Sequence, residues 1–331
     1  MGDGVKKRVL SGIQPSGNLH IGNFVGALRR WVAVQDEAEN YFCIVNLHAI
    51  TVPQDPVVLR AKTRELAGLY LAAGIDPVKS TVFVQSHVPA HTELCWILNC
   101  MTPMGWLERM TQFKDKAVKH QERVSAGLFA YPVLMAADIL IYQAHLVPVG
   151  DDQRQHVELA RDIAIRFNNR FGDTFVVPEA TFGGAGKRIM SLSDPTQKMS
   201  KDAEDPSGSL ALLDTPDVIR KKVARAKTDP GQEVRFDPTR PGVTNLLDLY
   251  QALTGESQDD IETRFVGKGY ADLKRGVADA VIAELEPLQR RYRDLTSEVG
   301  YLDTILRDGG ERASAVAQRT LDDVTAKVGL R

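Results

Sequence analysis

Two segments far apart in the chain carry side chains suited to binding phosphate. The first is GIQPSGNLHIGN, residues 12–23, which follows a short apolar run and opens a helical pattern. Its glycines let a ligand approach the backbone closely, and free N–H groups at a helix start attract phosphate. His20 and Asn23 are placed to hydrogen-bond that phosphate. The alternative is a glycine-rich turn that only caps a helix. The pattern GxGxxG is absent, which argues against a nicotinamide-dependent dehydrogenase.

The second segment is KMSK, residues 198–201, in a stretch rich in Gly, Ser, Asp, Pro and Lys. Two lysines on a flexible loop can close over a triphosphate and neutralise the charge that develops on departing pyrophosphate. Taken alone, this tetrapeptide also fits a solvated surface loop. The two segments together favour a shared nucleotide site.

An aspartate inside an apolar run suggests a second kind of site. Asp138 follows Met135-Ala136-Ala137 and precedes Ile139-Leu140-Ile141. A buried carboxylate without a partner costs several kcal/mol. Asp138 therefore either lies on a helix surface or accepts a hydrogen bond from a polar group of a ligand.

These motifs, with several longer ones, resemble a known enzyme family. The glycine turn with HIGN and the later KMSK match the ATP-binding motifs of class I aminoacyl-tRNA synthetases. GDDQRQH (residues 150–156), followed by Glu158 and Arg161-Asp162, is similar to the tryptophanyl/tyrosyl branch of that class. Three further segments resemble the bacterial-type tryptophanyl enzymes in particular: LSGIQPSG (10–17), ERMTQFKDK (108–116) and YPVLMAAD (131–138). The similarity runs along nearly the whole chain.

The resemblance implies a two-step reaction. L-tryptophan would be activated with ATP, aided by Mg²⁺, to tryptophanyl-adenylate and pyrophosphate, and tryptophan would then be transferred to tRNA(Trp). The family commonly acts as a homodimer. Two alternatives remain open, a tyrosyl-tRNA synthetase and a non-catalytic synthetase paralogue that binds RNA. The only support for the paralogue is Asp202, which stands after KMSK where the family usually has serine.

The resemblance also implies a role for each site residue. Asp138 would accept from the indole N–H, and Tyr131, Gln153 and Gln14 would hold the ammonium and carboxylate groups. The predicted tryptophan-binding residues are Leu10, Gln14, His48, Tyr131, Met135, Asp138, Val147, Val149 and Gln153. Those predicted to bind ATP are Gln14, Ser16, Gly22, Asn23, Gly150, Asp152, Lys198, Met199, Ser200 and Lys201, with Asp152 on the ribose. The predicted catalytic residues are His20, Asn23, Lys116, Lys198 and Lys201.

Composition limits the other partners. The 331 residues carry a net charge of −2 with a pI near 6.4, whereas a DNA-coating protein would be basic throughout. No apolar run is long enough for a membrane span, and the N-terminal run is too short for a signal-peptide core, so a cytoplasmic protein is expected. Residues 220–227 carry five positive charges, which fit a solvated helix face or a contact to the tRNA backbone.

The elements that must position these residues alternate between strand and helix. Alternation of this kind predicts an α/β fold with a Rossmann-like parallel sheet, whose ligands lie beyond the carboxyl ends of the strands. The predicted strands are residues 8–13, 41–45, 81–85 and 146–149. The predicted helices are 19–34, 56–73, 132–142 and 151–168.

A change of character near residue 205 predicts two domains. Residues 183–209 have the composition of a mobile connector, and the pattern from 215 onward is helical and charged, as in 216–227 and 270–293. We therefore predict a catalytic domain with an insertion over residues 1–205, ending in the KMSK loop. Residues 206–331 would form a C-terminal α-helical domain, which the family resemblance implies binds the tRNA anticodon. Its last helix is able to pack back on the catalytic domain.

Overall fold

A sheet of parallel strands lies at the centre of the computed structural model, which describes residues 6–111, 125–182, 188–201 and 205–331. In this part of the chain the strand order is β3-β2-β1-β4-β5. The strands are β1 (Arg8–Ile13), β2 (Glu39–Ile44), β3 (Thr81–Val84), β4 (Leu146–Val149) and β5 (Glu179–Phe182). The four predicted strands are present, and β5 was not predicted.

The sheet opens between β1 and β4, where the strand order reverses. β1 pairs with β2 in register from Arg8↔Glu39 to Ile13↔Ile44, but it pairs with β4 only at Val9↔Leu146. The two strands are therefore joined near their amino ends and separate toward their carboxyl ends. Such a switch point is where doubly wound sheets bind ligands.

Helices flank the strands in the first half of the chain. α1 (Ile21–Asn23) continues through a π-helical segment (Phe24–Leu28) into α2 (Arg29–Val34). Then follow α3 (Asn46–Ala49), α4 (Pro56–Ala73), α5 (Ala90–Asn99), α6 (Met104–Glu108), α7 (Ala126–Leu140) and α8 (Arg154–Phe171).

The ends of these helices show where sequence patterns suffice. α4 has the predicted bounds, because Asp55 caps its start and Gly74 ends it with φ +110°. α7 begins before the predicted residue 132, because the Ser125 side chain caps it by accepting from Leu128 N and Pro132 lies inside the helix. α5 was not predicted as a helix.

The second half is helical, as predicted. Its helices are α9 (Pro216–Ala224), α10 (Pro241–Thr254), α11 (Gln258–Phe265), α12 (Tyr270–Ser297) and α13 (Tyr301–Val328). Val281 and Leu285 of α12 share one apolar core with Ile21, Leu28 and Leu69 of the first half. The boundary at residue 205 is therefore not a gap in the core, and the division into two domains stays a prediction. None of the described helices is both long and apolar enough to cross a membrane.

The last long helix lies along the edge of the sheet. Alternate residues of β2 face two separate cores: Phe42 belongs to one and Cys43 to the other. α13 contributes Leu306 to the first core and Ala313 to the second, so it crosses from face to face beside the edge strand β3. A Cβ atom at Gly309 would lie only 1.8 Å from the carbonyl oxygen of Val82. Glycine thus permits this close approach.

We expect Gly309→Ala to lower the free energy of unfolding by about 2–4 kcal/mol, because the methyl group would push α13 away from a strand backbone that cannot yield. Urea denaturation followed by circular dichroism measures the change. Gly310→Ala is the matched control, since its Cβ would meet the nearest atom, His87 Cβ, at 3.4 Å. Equal destabilisation by both substitutions would contradict the packing argument.

Candidate active site

A cavity of about 320 Å³ occupies the opening between β1 and β4. This volume is at the lower end of the range of small-molecule sites. Every residue predicted to bind tryptophan lines it: Leu10, Gln14, His48, Tyr131, Met135, Asp138, Val147, Val149 and Gln153. Other lining residues include Ser11, Gly12, Cys43, Thr51 and Lys201. The structure therefore brings the predicted residues together, and their ligand roles remain predictions.

Asp138 lies at the cavity wall inside a polar network. Its side chain is buried, and Oδ1 accepts from Gln85 Nε2 at 2.7 Å and from His91 Nδ1 at 2.6 Å. Oδ2 lies 2.7 Å from His48 Nε2. A carboxylate has about four lone-pair positions, so these three partners leave capacity for one further donor. Asp138 is thus a buried acceptor rather than a surface residue.

The network keeps Asp138 ionised. Burial alone would raise the pKa of this carboxyl group, but the neighbouring His48 and His91 hold the pKa well below its usual range. His91 Nε2 also lies 2.7 Å from the Tyr142 hydroxyl, and both side chains are buried. An ionised carboxylate in an apolar pocket is a strong acceptor for a ring N–H.

Three members of this network were not predicted from the sequence. Gln85 stands directly after β3, and a polar residue at the carboxyl end of a parallel strand is a usable signal. His91 and Tyr142 are separated by 51 residues, so no spacing connects them.

Tyr131, which lies on α7 like Asp138, is held by another histidine. Its hydroxyl lies 2.8 Å from His156 Nε2, and the His48 ring meets the Tyr131 ring edge-on at 6.1 Å. Burial raises the pKa of Tyr131, so the hydroxyl keeps its proton. Tyr131 therefore presents a fixed neutral polar group to the cavity.

The glycine turn forms the start of α1, with His20 as its capping residue. Gly22 N donates to His20 Nδ1 at 3.1 Å, and His20 N donates to Asn23 Oδ1 at 3.1 Å. These two bonds form a reciprocal capping box. A side chain on Gly22 would come within 3.0 Å of the His20 ring, so glycine lets the ring lie over the turn.

His20 is neutral in this setting, so it offers a hydrogen bond rather than a charge. Burial, together with the nearby charges of Lys198 and Lys201, lowers the pKa of His20 from 6.5 to about 4. Because Nδ1 accepts from Gly22 N, the ring proton lies on Nε2. His20 can thus donate one hydrogen bond but carries no charge near pH 7.

The lowered pKa of His20 predicts a pH-dependent stability. As the pH falls from 6.5 toward 4, the unfolded chain binds a proton that the folded chain does not, so stability is lost in this window. Between pH 7 and 4.5 this loss amounts to about 2 kcal/mol for one such group. His20→Asn keeps a capping acceptor and removes the titration. Urea unfolding at both pH values should show the variant losing less stability than the wild type. Equal losses of stability in both proteins would contradict the lowered pKa of His20.

The lysine loop (KMSK, residues 198–201) contacts the glycine turn (residues 12–23) directly. Lys201 Nζ donates to the Gln14 carbonyl oxygen at 2.7 Å. The chain after the loop is bonded to the turn as well, because Ile21 N donates to Leu210 O at 2.9 Å. The two predicted phosphate-binding segments therefore lie side by side at the cavity.

Within KMSK the side chains divide into two groups. Lys198 and Ser200 are exposed, and Lys201 is half-buried at the cavity. Met199 is only 2% exposed, belongs to the apolar core, and its N–H donates to Ile189 O at 3.1 Å. We predicted Met199 among the ATP contacts. Its side chain anchors the loop in the core, and a contact between the Met199 backbone and ATP stays a prediction.

The remaining predicted nucleotide residues are distributed over two turns. Ser16 is half-buried in the glycine turn, where its N–H donates to Gln14 O at 2.9 Å. Gly150 begins the turn after β4, and a Cβ there would lie 2.8 Å from Asp152 Oδ1. Asp152 is exposed and accepts from Gln153 Nε2 at 3.0 Å. Lys116 and Asp202 lie outside the described residues.

Comparisons with known proteins agree with this geometry. Residues 4–286 match the family of class I tRNA synthetases for W and Y. The chain is 56% identical to the tryptophan–tRNA ligase of Gloeobacter violaceus over 324 residues, which are 98% of this chain and 96% of that protein. A tryptophanyl-tRNA synthetase crystal structure from Mycoplasma pneumoniae superposes with a TM-score of 0.90 at 35% identity, covering 99% of both chains.

A second similar structure was solved with ligands. It is the tryptophanyl-tRNA synthetase of Campylobacter jejuni complexed with ADP and tryptophan. It has a TM-score of 0.86 at 36% identity and covers 97% of this chain and 99% of that chain. The chain described here therefore belongs to the class I tRNA synthetases of the tryptophanyl and tyrosyl branch, and within that branch to the bacterial tryptophan–tRNA ligases.

Proposed function

We propose that the chain activates L-tryptophan with ATP and then loads it onto tRNA(Trp). The observation that carries this proposal is the contact between the lysine loop and the glycine turn, from Lys201 Nζ to Gln14 O, beside a cavity that contains an ionised aspartate. One end of the site suits an indole and the other suits a triphosphate. Family membership supports tryptophan over tyrosine as the substrate.

The amino acid would bind with its ring in the cavity. Asp138 Oδ2 accepts the indole N–H, and Leu10, Met135 and Val147 line the apolar wall. Phenylalanine fills less of the cavity and supplies no donor for the remaining acceptor position of the Asp138 carboxylate, so it is rejected. Tyr131, Gln153 and Gln14 lie in the same cavity lining and are proposed to hold the ammonium and carboxylate groups.

Adenylate formation requires positioning more than covalent catalysis. An oxygen of the tryptophan carboxylate attacks the α-phosphorus, and the bond from that phosphorus to the oxygen bridging it to the β-phosphorus breaks as pyrophosphate leaves. Neutral His20 donates from Nε2 to a phosphate oxygen, and Lys198 and Lys201 neutralise the charge on the departing group. Asn23 supports this step indirectly, because its Oδ1 accepts from His20 N and so orients His20.

Mg²⁺ is proposed only as a companion of the ATP phosphates. Among the described residues, no three His, Cys, Asp or Glu side chains lie close enough together to hold a metal ion. Mg²⁺ retains several water ligands and is commonly bound through substrate phosphates. The site therefore fits a metal that enters with ATP.

For the transfer step we propose that the helical second half contacts tRNA. The basic stretch at 220–227 contributes only in part. Lys222 is mostly buried and bonded to Asp214 at 2.7 Å, whereas Arg220 is more exposed, with Asp279 at 3.9 Å. Arg220, Lys221 and Arg225 are the better candidates for a salt-dependent backbone contact.

We further propose a homodimer that works in the cytoplasm, where tRNA is charged. Exposed apolar side chains support an interface in the first half of the chain. Ile50, Trp96 and Met104 are 60%, 71% and 62% exposed. Ile50 and Cys95, the neighbour of Trp96, line a common groove. Apolar surface of this kind is typical of protein contacts.

Pyrophosphate exchange tests the proposed activity. We expect exchange with tryptophan and ATP but not with tyrosine. Exchange with tyrosine would identify a tyrosyl enzyme. Absence of exchange with either amino acid, from folded protein that still binds RNA, would identify a non-catalytic paralogue.

A further inference from the structure

We propose that His91 and Tyr142 form a buried relay that positions Asp138 and thereby sets selectivity for an amino acid whose ring carries an N–H group. This inference rests on the proposed function, because it concerns how the same cavity recognises its substrate. His91 and Tyr142 are positioning residues, since neither is among the residues that line the cavity.

The hydrogen bonds of the relay are directed by the charge of Asp138. An ionised carboxylate can only accept, so His91 Nδ1 carries the proton in its 2.6 Å bond to Oδ1. His91 Nε2 lies 2.7 Å from the Tyr142 hydroxyl, so the same ring joins Tyr142 to the carboxylate. Burial raises the pKa of Tyr142 well above its usual value, so this hydroxyl keeps its proton. The chain of hydrogen bonds thus runs from Tyr142 through His91 to Asp138.

The relay bonds to one oxygen of the carboxylate, and the other oxygen faces the ligand cavity. Oδ1 has two donors, Gln85 and His91, both of which are 0% exposed. Oδ2 has His48 as its partner among the described residues, and His48 also lines the cavity. Because Oδ1 is held from the protein interior, the carboxylate cannot turn, and Oδ2 keeps one direction. A group fixed by buried partners discriminates better than one that can rotate.

The relay lies among packed aromatic rings. The Tyr142 ring stacks on Tyr41 with a centroid distance of 4.7 Å, and the His91 ring lies 6.1 Å from that of Phe83. These apolar neighbours exclude water, which would otherwise replace the missing partner in a variant. Loss of one relay bond should therefore change the orientation of Asp138 and weaken its hydrogen bond to the substrate.

The test compares tryptophan with its analogue 3-benzothienylalanine, in which sulfur replaces the ring N–H. Pyrophosphate exchange gives kcat/KM for each, and the ratio reports recognition of the N–H group. For the wild type we expect a ratio of about 100 or more. His91→Leu should lower the ratio about tenfold or more, with kcat/KM for the analogue within about threefold of the wild type.

Two further variants separate positioning from general damage. His91→Asn retains an N–H donor near the place of Nδ1 and should recover most of the ratio. Tyr142→Phe removes a single hydroxyl and should lower the ratio about threefold to tenfold even if His91→Leu does not fold. Phe83→Leu is the packing control, because Phe83 contacts the His91 ring without a hydrogen bond, and it should change both substrates alike.

The outcomes distinguish this inference from the proposed function. No exchange by the wild type with tryptophan would overturn the proposed function, and this inference with it. An active wild type whose ratio is unchanged in folded His91→Leu and Tyr142→Phe would overturn the relay alone. A lowered ratio in both variants, with an unchanged ratio in Phe83→Leu, would establish it.

Discussion

Replacing Lys201 by alanine is expected to slow adenylate formation by about 10²- to 10³-fold, the usual effect of removing one group that stabilises charge in a transition state. Tryptophan binding should survive, with its Kd within about threefold of the wild type, because the ring binds at the Asp138 end of the cavity. Lys201 Nζ already lies 2.7 Å from Gln14 O at the glycine turn, so its charge is in place before the phosphates arrive.

Single-turnover formation of the adenylate measures this effect directly, and fluorescence titration with tryptophan measures the Kd. Lys79→Ala is the matched control, because Lys79 pairs with Asp36 and precedes β3, at the amino ends of the strands. That substitution also removes one partly exposed lysine but should leave the rate unchanged. A wild-type single-turnover rate in Lys201→Ala would refute the role of the loop.

The second large effect concerns Asp138. Asp138→Ala should lower the discrimination between tryptophan and phenylalanine by about 10³-fold or more, since sites built around one hydrogen bond reject analogues that lack it by about 10⁴–10⁵. The variant should also be less stable by about 1–3 kcal/mol for each buried donor left without its acceptor. Gln85 and His91 both lose their acceptor, so the protein must be shown to fold at the assay temperature.

Relative kcat/KM values for the two amino acids provide the measurement. Val147→Ala serves as the comparison, because it enlarges the apolar wall of the same cavity without changing a hydrogen-bonding group. It should lower kcat/KM for both amino acids and change the ratio of the two values much less than Asp138→Ala does. An unchanged ratio in a folded Asp138→Ala variant would mean that the carboxylate does not recognise the indole N–H group.

The fold could be predicted because the alternation of strands and helices is a local pattern, and parallel strands place their carboxyl ends at one edge of the sheet. The family resemblance, and not the pattern, assigned Leu10 on β1 and Val147 on β4 to the cavity that they line. Family motifs supplied Tyr131 and Gln153, which line the same cavity. The start of α7 was misplaced, since Pro132 looks like a helix start and in fact lies inside the helix.

The chemical state of the site could not be read from the sequence. His20 is neutral because of its burial and because Lys198 and Lys201 lie near it, and both depend on the folded chain. The relay through His91 and Tyr142 depends on three-dimensional contacts between segments that share no pattern. The buried position of Met199 was likewise invisible, because a methionine between two lysines looks like part of a surface loop.

The position of α13 has a consequence for synthesis on the ribosome. β3 is made long before α13, the helix that lies along its edge. Until α13 emerges, the growing polypeptide presents an unprotected row of backbone donors and acceptors, which is a template for pairing between nascent chains. Slow translation of the final helix, or premature termination before it, should therefore favour aggregation and a need for chaperones.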